Sequence, residues 1–82
     1  MPTYELLTNH LNLHHGDELI LDLDEIERII GEPLPITARR RPQYWANAVK
    51  EEHRNPPNEA AKRADFSAFL IPALQKVRFV RD

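Results

Sequence analysis

Three consecutive arginines, Arg39, Arg40 and Arg41, followed closely by Gln43, Tyr44 and Asn47, are the residues of this chain best suited to chemistry with a ligand. Each guanidinium is a permanent cation with five N–H donors in a planar fork, which matches the oxygens of a phosphate. The amides of Gln43 and Asn47 suit the edge of an adenine, and the Tyr44 ring can stack or lie against a sugar. Lys50, Lys62 and Arg63 follow in the same basic half of the chain and extend the candidate surface. A plainer reading competes with this one. The arginines can form an ordinary solvated face, or pair with the acidic stretch that precedes them. Both hold together if Arg39 turns inward and Arg40 and Arg41 turn outward.

Other chemistries are poorly served. His10 and His14 are four residues apart, a spacing that suits a metal on a helix. No third ligand accompanies them and there is no His-Glu-x-x-His pattern, so no metal site is expected. There is no cysteine, Ser67 is the sole serine, and no glycine-rich phosphate loop or nucleophile elbow is present. The expectation is a binding protein with no catalytic residues and no cofactor. Trp45, the one tryptophan, is expected to anchor the core, its indole N–H finding an acceptor nearby. Asn47 also has a plainer use, bridging backbone groups in an irregular segment.

The elements that must position these residues come from 82 residues, room for one domain and one modest core. Hydrophobic residues make up 41%, so that core has to be economical, and seven prolines against two glycines make the connections stiff. The absence of cysteine fits a reducing compartment. No secretory signal pattern opens the chain, and the apolar run 69–74 is too short to cross a bilayer, so a cytoplasmic location is expected. The net charge of −2 hides a polarity. From Asp17 to Glu32 there are seven acids and one base, a net of −6, whereas Arg39 to Arg63 holds seven bases and three acids, a net of +4. Such a dipolar chain can steer a charged partner to one face.

Periodicity supplies the elements. Tyr4, Leu7 and Leu11 share a helical face, with Thr3 as the expected cap. Leu19, Leu21 and Leu23 alternate with Glu18, Ile20 and Asp22, predicting a strand over 18–23. A helix follows at once, with Asp22 and Glu25 as an acidic capping box, Leu21 and Ile26 as a staple, and Gly31 as the stop. Pro35 opens a short helix over 36–41 that Pro42 ends. Asn55-Pro56-Pro57-Asn58 reads as a break, with Asn58 capping a helix over 59–65. A hairpin is predicted over 67–81, its turn at Ala73-Leu74-Gln75.

The run Leu21 to Gly31, then Leu34-Pro35, Thr37-Ala38-Arg39 and Tyr44-Trp45-Ala46-Asn47, resembles a small uncharacterised bacterial and phage domain. That domain carries a pattern of the form IE-x-I-x-G-x-x-LP-x-SAR…WWxN. The likeness continues through Ala61, Ala64-Asp65-Phe66 and Val77 to Arg81. Tyr44 replaces the pattern's first tryptophan, Asp65 stands where a glycine usually precedes the aromatic, and Pro42 is an intrusion that interrupts any long recognition helix. The resemblance implies a nucleic-acid-binding role.

The expected fold is therefore α+β, short helices with a small antiparallel sheet, winged-helix-like. The expected function is a small nucleic-acid-binding module, with DNA as the partner. The alternative is a protein-interaction module, such as a phage-encoded inhibitor of a bacterial defence complex of the CRISPR or restriction kind. It would use the acidic face from Asp17 to Glu32 as a mimic of phosphate charge.

Overall fold

The computed structural model of the chain describes residues 4–45 and 55–82. Among the described residues, four helices and three strands follow one another as α1 (Glu5–Asn12), β1 (Glu18–Asp22), α2 (Leu23–Ile30), α3 (Ile36–Arg40), α4 (Pro56–Arg63), β2 (Phe66–Ile71) and β3 (Lys76–Arg81). Short 3₁₀ turns at Pro42–Tyr44 and Pro72–Leu74 complete the order. The fold is α+β. All three strands pair antiparallel in the order β1-β3-β2, so the last strand lies between the other two.

Strand alternation sets the two faces of the sheet. Leu21, Val77 and Leu70 lie in one register row and are buried, as are Phe79 and Ala68 in the next. The opposite face carries Ile20, Arg78 and Phe69 in one row and Asp22, Lys76 and Ile71 in another. The inner face packs against helices. α1 packs on both α2 and α4, and α4 lies against β2. Leu7, Leu11, Leu23, Ile26 and Ile30 fill that layer, spaced at the three- and four-residue intervals that align side chains along a helix. The small residues Ala60, Ala61 and Ala64 let α4 approach closely, and Thr8 donates its hydroxyl to the Ala60 carbonyl at 2.8 Å.

The strand-to-helix junction at residue 22 forms as expected, but not by the expected capping. Asp22 has extended backbone at the N-cap position and Gly31 ends α2 in the left-handed region at φ 78. The Asp22 side chain makes no cap hydrogen bond. As the last residue of β1 it belongs to the outer face, where it pairs with Lys76 at 3.4 Å. The Leu23 amide donates instead to the Gln75 carbonyl of the hairpin turn, at 3.0 Å. Thr3 lies outside the described residues, and α1 is entered from Tyr4.

α4 corrects the predicted break. It begins at Pro56, with Asn55 at the cap position, because proline has no N–H to lose in a helix's first turn and its φ is already helical. Asn58 is therefore inside the helix and buried, its Nδ2 donating to the Trp45 carbonyl at 2.7 Å. The helix ends at Arg63, two residues short of the expected Asp65. β2 likewise starts one residue earlier than expected, and β3 spans Lys76–Arg81. Within the described residues, no helix is long and apolar enough to cross a membrane.

Candidate nucleic-acid interface

α3 begins after the stiff Glu32-Pro33-Leu34-Pro35 segment and is held to α2 by one side chain. Glu27 accepts the Leu34 amide through Oε2 at 2.7 Å and Arg39 Nη2 through Oε1 at 2.6 Å. The same guanidinium nitrogen reaches Asp24 Oδ1 at 3.0 Å. The hydrogen bond to Asp24 is the largest influence on the already high pKa of Arg39 and raises it; desolvation opposes, and the hydrogen bond to Glu27 and the charges of both carboxylates keep the net direction upward. These charge-assisted bonds fix α3 against the acidic helix and use up the charge of the first arginine.

Below α3, Trp45 is fully buried. It donates Nε1 to the Ala38 carbonyl at 2.7 Å and meets the Phe79 ring edge-on at 6.4 Å. Tyr44 is half-buried, edge-on to Trp45 at 6.0 Å, with its carbonyl accepting Asn55 Nδ2 at 3.1 Å. Burial raises the pKa of the Tyr44 phenol above its ordinary value. On the far side, Gln75 donates Nε2 to the Pro72 carbonyl at 2.8 Å and to the Arg39 carbonyl at 3.3 Å. The hairpin turn thus docks against α3.

Arg40, Arg41 and Gln43 are exposed. Arg40 and Arg41 make no ion pair with any described residue, and Arg28 on α2 is the other described cation in that condition. Gln43 and Pro42 form one wall of an open groove, about 260 Å³, whose other wall is Ala68, Phe69 and Leu70 on β2. Phe69 is 51% exposed. Sequence reasoning passed over it, although an aromatic out of step with the buried positions Phe66, Ala68 and Leu70 was the available signal.

The remaining basic candidates are placed elsewhere or committed. Lys62 Nζ donates to Asp82 Oδ2 at 2.7 Å and to Ser67 Oγ at 3.0 Å. Arg63 lies 3.6 Å from Glu59, one helical turn before it. Arg78 pairs with Glu18 at 2.7 Å, and Arg81 lies over the Phe66 ring at 4.6 Å while donating to the His14 and Gly16 carbonyls. Asn47 and Lys50 lie outside the described residues. Arg40, Arg41 and Gln43 are thus the part of the expected set that stands together and open. Such a cluster can hold phosphate oxygens and offer one amide beside an aromatic face.

The family model for a domain of unknown function, DUF7662, matches residues 4–82. No curated protein matches the chain, and no solved structure does.

Proposed function

The chain belongs to the DUF7662 family, and we propose that it is a small nucleic-acid-binding module, acting on DNA, with an arrangement of the winged-helix kind. The observation that carries this reading is the split within the arginine run. Arg39 is neutralised by Asp24 and Glu27, which leaves Arg40 and Arg41 exposed, adjacent and outside any ion pair with a described residue. The order of elements supports the arrangement. α1, α2 and α4 pack together, the hairpin follows α4, and β1 joins β3 at the far side of the sheet. α3 and the Pro42–Tyr44 turn fill the connection between α2 and α4, and Gln75 brings the hairpin turn beside it.

The alternative, a protein partner held through the acidic face, draws less support. Glu18, Asp22, Asp24 and Glu27 already face Arg78, Lys76 and Arg39. Much of the −6 stretch is answered within the chain, whereas a phosphate mimic needs its carboxylates open.

Fluorescence anisotropy with labelled duplex and single-stranded DNA at two salt concentrations tests the reading. The R40A/R41A double variant, lacking two cations that would each neutralise a phosphate, should bind more weakly. Its slope of log affinity against log salt should be shallower by about 2. Unchanged affinity and slope in the double variant, or no binding by the parent to either form at low salt, overturns it.

A further inference from the structure

The geometry points to an unpaired base in the groove between the Pro42–Tyr44 turn and β2, and so to single-stranded nucleic acid as the ligand class. This rests on the nucleic-acid reading above and sharpens it. The groove of about 260 Å³ is smaller than the ~300–1,000 Å³ that drug-sized ligands occupy. It brings together three features that a base uses. Phe69, half exposed on the outer face of an edge strand, offers an aromatic plane for stacking. Gln43, exposed on the opposite wall, offers a donor and an acceptor to the edge of the base. Arg41 is exposed and immediately precedes Pro42, one residue from the groove lining, so the attached phosphate lies within the reach of a long cationic side chain.

The rest of the molecule disfavours a duplex. α4, the helix that leads into the hairpin, buries Pro57, Asn58, Ala60 and Ala61, and its Lys62 and Arg63 face Asp82 and Glu59. The hairpin turn Pro72-Ala73-Leu74-Gln75 carries no charge with which to grip a second strand. A paired base keeps its faces stacked and its pairing edge occupied, so the groove can take only a base that has left the duplex.

Anisotropy titrations of the full chain with labelled oligothymidylate and with a duplex of equal length, at one low salt concentration, decide the matter. Oligothymidylate should bind more tightly than duplex. Phe69→Ala should cost about 10-fold for oligothymidylate and leave duplex affinity within about twofold, far-UV circular dichroism confirming that it folds. Phe69→Trp should retain binding, with its added indole fluorescence quenched by oligothymidylate. If F69A and Q43A bind oligothymidylate like the parent, or duplex is preferred, the inference falls; if R40A/R41A still weakens binding, the nucleic-acid reading stands without it. If the parent binds neither oligonucleotide, both fall.

Discussion

Asp65 adopts φ 63, in the left-handed region that L-residues with a Cβ enter at a cost of about 1–2 kcal/mol, somewhat less for aspartate. Its backbone explains why it stays there: the amide donates to the Lys62 carbonyl at 3.0 Å and its carbonyl accepts the Asp82 amide at 2.8 Å, so the turn from α4 into β2 depends on this conformation. A glycine at this point would adopt the same conformation without that cost. Asp65→Gly keeps both backbone bonds and removes the Cβ clash, but adds freedom to the unfolded chain. The balance is a gain of about 0.5 kcal/mol, read as a higher urea midpoint with an unchanged slope. A lower midpoint would mean that the carboxylate, not the backbone, matters there. Gln75, at φ 53, is the contrasting case. Its side chain holds the Pro72 and Arg39 carbonyls, so glycine would lose two hydrogen bonds while relieving the same strain.

Elements were legible in the sequence where local chemistry alone decides them. The alternation of Leu19 and Leu21 with Glu18 and Ile20, the apolar spacing of Leu23, Ile26 and Ile30, and the stop at Gly31 all placed β1 and α2 within a residue of where they lie. The start of α4 was misjudged because Pro56-Pro57 signals a break and a helix opening equally well. The choice is made by Trp45, thirteen residues before Asn58 in the chain, whose carbonyl holds the Asn58 amide. The candidate site divides in the same way. The arginine run was visible, but which guanidinium Asp24 and Glu27 claim depends on how α3 packs on α2. The pairing of Lys62 was illegible for a related reason, since its partners Ser67 and Asp82 come from β2 and the residue after β3. Hydrogen bonds from Lys62, then Ser67, hold the Asp82 carboxylate below its usual pKa. A carboxylate with a depressed folded pKa contributes stability above its unfolded value, near 4, and loses it as pH falls through the folded value. Asp82→Asn should therefore lower the melting temperature at pH 6, with the difference from the parent closing as the pH falls below about 4. Asp82 is exposed enough for solvent to screen the pair, so the effect is small. A difference that stays constant over that range would show that Lys62 gains nothing from the charge.

At the scale of the molecule, most of the acidic stretch is met by Arg39 and by Lys76, Arg78 and Arg81 of β3, while Arg40 and Arg41 stay outside any ion pair with a described residue, and the economical core is organised around one indole. Trp45 is fully buried, bonded to the carbonyl of Ala38 on α3, edge-on to Phe79 on β3, and joined through its carbonyl to Asn58 on α4. α3 is the element whose place in the cooperative unit is open to challenge. It lies outside the packing of α1, α2 and α4, and its Arg39 pairs are partly exposed, worth about 1 kcal/mol at most. Against that, Ala38 is fully buried and its carbonyl holds the indole N–H, so releasing α3 would strand a buried donor at a cost of about 1–3 kcal/mol. The same indole meets Phe79 on β3, and the Trp45 carbonyl holds Asn58 on α4, so α3 cannot leave without disturbing both. The arginine face should then unfold with the core. In urea, Trp45 fluorescence and far-UV circular dichroism should report one transition with a common midpoint and a slope near 1 kcal/mol per molar. A fluorescence change that precedes the loss of helix would show that α3 and its arginines detach while the three-helix layer and sheet remain, and that the groove beside Phe69 opens with them.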